Sequence, residues 1–230
     1  MKNLLIYIHP RKFFDDDHTR YAKIQIDNSL KFWKPEDILI VTNFPYEYKG
    51  IKAMVVSDNL YSKVYKKCSK IDVICYLLEN QLLNELTWFH DFEAWQINPI
   101  DISLDRDIGF TDHGWLSKWN TGSIFFKPTQ ASLSVFRWIN KIVLQYRTDE
   151  ERALVYLTDE NINNINKYYQ RLNITYNIGK ENREYCISLA YKPLKVFHFH
   201  PYKEDLLNKF KPWLPQDLVK LMEEQSPSVI

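Results

Sequence analysis

The segment that decides the fold reads Leu86-Thr-Trp-Phe-His-Asp-Phe-Glu-Ala-Trp95, a hydrophobic run that stops at two carboxylates. Asp91 and Glu93 are separated by one residue and directly follow a predicted buried strand. Hard divalent cations prefer oxygen ligands, and a nucleotide diphosphate needs its charge neutralised. The segment therefore predicts that Asp91 and Glu93 hold Mn²⁺ or Mg²⁺ against a diphosphate. The alternative is a solvated turn that contains two acids.

Hydrophobic runs and amphipathic segments alternate on the N-terminal side of this segment. Buried strands are predicted at residues 4–8, 38–41 and 53–56, and helices at residues 17–34 and 62–83. This alternation predicts an α/β fold with a mixed, mostly parallel sheet flanked by helices. In such sheets ligands bind beyond the carboxyl ends of the strands, which is where His9, Asp58 and Asp91 fall.

The C-terminal half of the chain has a less regular pattern. It predicts a polar loop at residues 101–118, a strand at 121–126, helices at 130–145, 161–171 and 212–224, and short strands around Ile174 and Val196. A capping box predicts a further helix with Thr148 as its N-cap and Glu151 at its third position.

The pattern contains no repeat and no clear linker, so we predict a single domain over residues 1–230. Its expected parts are a nucleotide-binding half at residues 1–95, a half for the donor sugar and the acceptor at 96–215, and a C-terminal helix and tail at 216–230.

The composition excludes several classes of protein. With a formal net charge of +1, the whole molecule gives no argument for binding nucleic acid or an anionic membrane. The three cysteines form neither a disulfide framework nor a zinc site. The first apolar run is too short for a signal peptide or a stable membrane span, so a cytoplasmic location is expected.

One local cluster of charge stands out from this neutral background. It consists of four lysines, Lys63, Lys66, Lys67 and Lys70. Such a cluster is more often a solvated helix face than a binding patch, and both interpretations stay open here.

Four segments share their order with the motifs of a known family. They are the acidic pair, similar to an Asp-x-Asp motif, and three later segments around Asn120 and Gly122, Asp149 and Glu150, and His198, His200 and Lys203. The ordered set resembles the metal-dependent nucleotide-sugar glycosyltransferases of the GT-A fold, and is distantly similar to the glycogenin-like enzymes. The abundance of Asn, Ile, Lys and Tyr is typical of an AT-rich genome, such as that of a phage, a virus or a low-GC bacterium.

The resemblance implies how the metal and the donor are bound. Asp91 and Glu93 would share the metal with a late histidine, either His198 or His200. The donor nucleotide would contact Tyr7, His9, Asp58, Lys70 and Lys203. Where the glycogenin-like signature has a glycine after its histidine, this chain has Pro201, and its Lys-Pro-Trp occurs only at residues 211–213. The histidine that binds metal and the lysine that binds phosphate therefore stay open.

The resemblance also implies the catalytic residues. Asn120 and Gly122 would shape the floor of the donor pocket. Asp149 and Glu150 would contact the donor sugar or the acceptor hydroxyl, and an inverting enzyme would need a general base there. The plain alternative for both acids is the favourable charge of a helix N-terminus. Asp112, His113 and Trp115 of the polar loop are expected to meet the acceptor.

The expected activity is transfer of a sugar from a nucleoside-diphosphate sugar, such as a UDP-sugar, to an acceptor hydroxyl. The acceptor is a glycan, a lipid-linked sugar, a protein or a hydroxymethylated DNA base. The DNA alternative predicts salt-sensitive DNA binding through the lysine cluster. Two further alternatives are a sugar nucleotidyltransferase, which the absence of a Gly-rich loop after the first strand disfavours, and a non-catalytic nucleotide-sugar-binding module.

Overall fold

The computed structural model describes residues 1–112, 119–180 and 183–226. The strands in the described part of the chain are β1 (Lys2–Tyr7), β2 (Ile38–Thr42), β3 (Glu47–Tyr48), β4 (Ile51–Lys52), β5 (Met54–Val55), β6 (Thr87–His90), β7 (Ala94–Gln96), β8 (Ile108–Asp112), β9 (Trp119–Phe126), β10 (Tyr169–Leu172), β11 (Ile178–Gly179) and β12 (Val196–His198). The α-helices are α1 (Asp16–Ser29), α2 (Ser69–Glu79), α3 (Gln130–Tyr146), α4 (Glu150–Asp159), α5 (Arg183–Leu189), α6 (Leu206–Phe210) and α7 (Gln216–Glu224). Short 3-10 helices occupy Pro35–Asp37, Asp58–Leu60, Lys66–Cys68, Ile162–Lys167, Ile174–Tyr176 and Lys211–Trp213.

The central sheet has seven strands in the order β10-β8-β9-β6-β1-β2-β5. β6, β1, β2 and β5 run parallel, while β9 is antiparallel to both of its neighbours. A smaller sheet in the order β11-β12-β7 and a hairpin of β3 and β4 complete the strands. The predicted mixed, mostly parallel sheet is confirmed.

Two hydrophobic cores lie on opposite faces of the sheet because side chains alternate along each strand. The neighbours Leu4 and Leu5 of β1 are both fully buried, but they belong to different cores. Leu4 packs in the core that α2, α3 and α4 cover, and Leu5 packs in the core that includes α1 and α7. Burying a leucine stabilises the fold by roughly 1.5–3 kcal/mol, so a shift in register that exchanged the faces would be strongly disfavoured.

The helix predicted at residues 62–83 is wrong at both ends. Tyr65 is extended, with φ −138° and ψ 127°, so the chain enters α2 only through the 3-10 turn Lys66–Cys68. At the other end Gln81 adopts a left-handed φ of 53°, which prevents the helix from continuing, and Leu82 is exposed. The segment before α2 brings Lys66 and Lys67 to the wall of a pocket.

The predicted capping box is also wrong. Asp149, not Thr148, is the N-cap of α4, and its side chain accepts from the backbone N–H of Arg152 at 2.9 Å. Thr148 instead lies just after the end of α3, where its N–H donates to the carbonyl of Val143.

Three further expectations in this half need correction. The helix expected at residues 161–171 is a 3-10 segment followed by β10, because Asn161, Asn163 and Asn164 adopt left-handed φ values that interrupt an α-helix. The strand expected around Ile174 is a 3-10 turn. The last α-helix begins only after Pro215 and follows the separate turn Lys211–Trp213.

Candidate functional site

The acidic pair sits in a tight turn between β6 and β7. The N–H of Asp91 donates to the carbonyl of Gly122 on β9, and the N–H of Ala94 donates back to the carbonyl of Asp91. β7 then pairs antiparallel with β12, so that Ala94 lies opposite His198. This pairing brings a histidine from the C-terminal part of the chain beside carboxylates that precede it by about a hundred residues.

Asp91, Glu93 and His198 form a group that could hold a metal ion, since one ligand atom from each lies within 4.8 Å of the others. Their side chains are 26%, 17% and 18% exposed, so the group is shielded but open to a ligand. Two carboxylates and an imidazole suit Mn²⁺, and three protein ligands leave positions for phosphate oxygens or water. Of the two predicted histidines, His198 joins this group.

His200 takes a different position beside the pair. Its Nε2 lies 3.7 Å from Oε1 of Glu93, while its Nδ1 is buried and has no hydrogen-bond partner among the described residues. His200 therefore lies beside Glu93, outside the three-residue group.

The charges of this group favour a bound cation. Burial, and next the negative charge of Asp91, raise the pKa of Glu93 above its ordinary value. Two carboxylates held this close repel one another, and a divalent cation between them would reverse that repulsion. The donor set and its charge thus both fit the expected metal.

Gly122 makes room for the histidine. A Cβ at this position would lie 2.1 Å from Cε1 and 2.5 Å from Nδ1 of His198, closer than real carbon atoms approach. Asn120 fixes the same backbone, since its Oδ1 accepts from the N–H of Gly122 at 3.0 Å. Asn120 and Gly122 therefore lie beside the ring of His198, and their role in shaping the floor of the donor pocket stays a prediction.

Replacing Gly122 with Ala will weaken Mn²⁺ binding by about 10- to 100-fold, as expected when the support of a metal ligand is lost. The matched control is Gly179→Ala, because Gly179 lies opposite His198 in the β11–β12 pairing but its added Cβ would meet only Asn120, at an ordinary 3.8 Å. The measurement is Mn²⁺ titration followed by electron paramagnetic resonance, with thermal unfolding to check folding. Equal affinities in the two variants would contradict the role of Gly122 in making room for His198.

Lys70 is buried directly behind Asp91. Its Nζ lies 3.3 Å from each carboxylate oxygen of Asp91, 3.2 Å from Oε1 of Glu150 and 3.2 Å from the carbonyl oxygen of Thr121. Burial alone would lower the pKa of Lys70, but the charges of Asp91 and Glu150 outweigh it and raise the pKa. Lys70 is thus a fixed cation that holds the carboxylate of Asp91 in place.

Glu150 is the buried counterion of this lysine. It is 1% exposed, and its carboxylate also accepts from Oγ1 of Thr121 at 3.0 Å. Burial would raise its pKa, but the charges of Lys70 and Lys67 outweigh that and lower it to about 2. In this arrangement Glu150 has no free face for a substrate, whereas Asp149 caps α4 at a partly exposed position, 3.6 Å from Nζ of Lys67.

A pocket of about 380 Å³ opens above the acidic pair. The residues that line it come from β1 and its end, α1, the segment before α2, the first turn of α2 and the turn after β6: Ile6, Tyr7, Ile8, His18, Tyr65, Lys66, Lys67, Ser69, Lys70, Asp91, Phe92 and Glu93. Four of the predicted site residues, Tyr7, Lys70, Asp91 and Glu93, therefore meet in one pocket. It lies at the carboxyl ends of parallel strands, as expected for a ligand site in such a sheet.

The other predicted donor contacts lie outside the lining of this pocket. His9 stacks behind Tyr7 with the ring centres 5.8 Å apart. Asp58 pairs with Lys12 at 2.6 Å and accepts from Asn43 at 2.8 Å. Lys203 lies 3.9 Å from a carboxylate oxygen of Asp17 on α1.

Several residues of the pocket were not foreseen. His18 lines it, and its Nδ1 lies 2.7 Å from Oδ1 of Asp15, whose other oxygen accepts from the hydroxyl of Tyr7 at 3.1 Å. The available signal was Asp15 in an N-cap position three residues before His18. Lys66 and Lys67 were noticed only as members of a charge cluster.

A second, smaller pocket lies on the other side of the metal-binding group. It is lined by Asn120, Glu151, Gly179, Lys180, His198, Phe199 and His200. Among the residues expected to meet an acceptor, Asp112 ends β8, while His113 and Trp115 lie outside the described residues.

Comparison with known proteins gives a fold and no sequence family. No protein-family model and no curated protein matches the chain. Among solved structures, the galactosyltransferase LgtC in complex with donor and acceptor sugar analogues matches with a TM-score of 0.64 and 10% identity, over 97% of this chain and 96% of that one. A glycosyltransferase involved in the glycosylation of the major capsid of PBCV-1 matches with a TM-score of 0.54 and 13% identity, over 86% and 93%.

The glycosyltransferase GlyE of Streptococcus pneumoniae TIGR4 matches with a TM-score of 0.60 and 9% identity, over 97% of this chain and 63% of that one. Because the sequence identity of these matches is so low, the similarity lies in the backbone fold and not in the side chains. In the described part of the chain, no helix is long and apolar enough to cross a bilayer. The backbone matches over most of the chain show that the protein has the GT-A fold of the glycosyltransferases it resembles.

Proposed function

We propose that this chain is a glycosyltransferase that moves a sugar from a nucleoside-diphosphate sugar to an acceptor hydroxyl with the help of a divalent metal. The observation that carries the proposal is the group of Asp91, Glu93 and His198, whose two carboxylates line a pocket at the strand ends of a GT-A fold. A pocket of about 380 Å³ is of the size that small-molecule ligands occupy in proteins.

Some residues of the site bind the metal or the nucleotide, and others position those binding residues. Asp91, Glu93 and His198 hold the metal, which when bound supplies Lewis-acid stabilisation of the departing diphosphate. Lys70 keeps Asp91 in its ligating position, and Gly122 keeps the ring of His198 in place. Tyr7 offers an aromatic wall at the end of β1, where the nucleotide enters.

The sugar and the acceptor meet on the His198 side of the metal group. Asn120 and Glu151 line the small pocket there, and Glu151 is held in place because its Oε1 accepts from the N–H of Thr121 at 3.1 Å. Asp149 is the predicted acid that remains accessible at this end of α4. Glu150 is fully paired, so the residue that accepts the proton of the incoming hydroxyl is Asp149 or Glu151.

The experiment that tests the proposal is donor hydrolysis with Mn²⁺ against a panel of UDP-, GDP- and dTDP-sugars, with released nucleoside diphosphate as the readout. Release from one donor that stops on chelation supports the proposal and identifies the donor base. Metal-dependent nucleotide binding without turnover, in the presence of simple sugar acceptors as well, would contradict it and favour a binding module.

A further inference from the structure

Two lysines of the pocket wall, Lys66 and Lys67, have no role in the site as described so far. Lys66 and Lys67 belong to the 3-10 turn that precedes α2, and both line the pocket above Asp91 and Glu93. Their side chains are 48% and 49% exposed, in contrast to Lys70, which is 7% exposed and engaged with Asp91 and Glu150.

The ammonium groups of these two lysines are weakly engaged. The nearest acid to Nζ of Lys66 is Oδ2 of Asp15 at 3.7 Å, and Nζ of Lys67 lies 3.6 Å from Oδ2 of Asp149. These separations are longer than hydrogen bonds, and within residues 1–112, 119–180 and 183–226 neither ammonium group donates one. Both cations therefore keep donors for a ligand that enters the pocket.

Lys203, the late lysine implied by the family resemblance, is less well placed to bind a ligand in this pocket. Lys203 lies near Asp17 on α1 and is not among the residues that line the pocket. The turn at Lys66–Cys68 supplies two cations to the cavity that holds the acidic pair, while the segment of His198 and His200 supplies none to it.

We propose that Lys66 and Lys67 bind the diphosphate of the donor, taking the part that the late lysine plays in the glycogenin-like signature. The assignment rests on the proposed function. The metal group neutralises part of the charge of the diphosphate, and the two ammonium groups that line the same pocket neutralise the rest as point charges. This use engages two of the four lysines on which the DNA alternative depends.

Nucleotide binding by isothermal titration calorimetry with Mn²⁺ tests the assignment. The wild type is titrated with UDP, GDP and dTDP, and the tightest ligand and its phosphate-free nucleoside are then compared across variants. Lys66→Ala and Lys67→Ala will each raise the Kd for the diphosphate about tenfold, because each removes a charge-assisted hydrogen bond. The double variant will lose more than either, and the Kd for the nucleoside will stay unchanged.

The matched control is Lys63→Ala, since Lys63 is an exposed lysine of the same segment that does not line the pocket. A loss confined to Lys203→Ala, or a double variant with unchanged diphosphate affinity, would overturn the assignment and leave the proposed function standing. Loss of duplex DNA binding in the double variant with unchanged diphosphate affinity would overturn it in favour of the DNA alternative. Failure of the wild type to bind any diphosphate would instead refute the proposed function, and this assignment with it.

Discussion

Replacing Asp91 with Asn will lower turnover of the donor by at least about 10³-fold, because several kcal/mol of charge stabilisation at the diphosphate are lost with the metal. The substitution keeps the size of the side chain and removes its charge. Asp91 is both a member of the candidate metal group and a partner of Lys70, so the substitution removes its charge from both interactions. The measurement is release of nucleoside diphosphate from the best donor, over a range of Mn²⁺ concentrations.

The matched control for this prediction is Asp217→Asn. Asp217 is also paired, with Lys31 at 2.7 Å, but it lies on α7 away from the pocket. Its variant will retain the turnover of the wild type. If Asp91→Asn kept more than about a tenth of the activity, the acidic pair would be a solvated turn and the metal would have to bind elsewhere.

Replacing Lys70 with Met will lower the free energy of unfolding by about 3–5 kcal/mol, the usual loss when one partner of a buried ion pair is removed. The reason is Glu150, which is 1% exposed and would be left buried without its main counterion. Urea unfolding at neutral pH measures the change. The same variant will bind Mn²⁺ more weakly, because Asp91 loses the group that fixes its carboxylate.

A second variant separates the buried charge from the loss of packing. In Lys70→Met/Glu150→Gln the unpaired carboxylate is gone, so most of the lost stability will return, while Mn²⁺ binding stays weak. Lys67→Ala is the control for an exposed lysine near the same acid, at 3.9 Å from Glu150, and will change stability by less than about 1 kcal/mol. Equal destabilisation by Lys70→Met and by the double variant would show that the unpaired carboxylate of Glu150 is not the cause of the lost stability.

The fold could be predicted because its signals are local. Buried strands such as β1 and β6 are runs of apolar residues, and their alternation with amphipathic helices is sufficient to indicate a mostly parallel sheet. Of His9, Asp58 and Asp91, which were expected to converge at the strand ends, Asp91 lines the pocket, and His9 and Asp58 do not. Helix limits failed where a single residue changed the backbone, as at Gln81 and Asn163.

The site could be predicted only in part because its remaining contacts are between distant segments. The spacing of His198 and His200 does not show which of them faces the acids, since that depends on the pairing of β12 with β7. The ion pair of Lys70 with Glu150 depends in the same way on how α2 and α4 pack against β9. Lys66 and Lys67 fell inside the helix predicted at residues 62–83. In the structure they lie in a turn before α2, which begins at Ser69, and they line the pocket.

The most direct test of the central claim, that Asp91, Glu93 and His198 together hold one divalent cation, is Mn²⁺ binding by electron paramagnetic resonance in His198→Ala and His200→Ala. We expect one Mn²⁺ per chain in the wild type, loss of that site in His198→Ala, and its retention in His200→Ala. Absence of stoichiometric Mn²⁺ binding in the wild type, or an intact site in His198→Ala, would contradict the account.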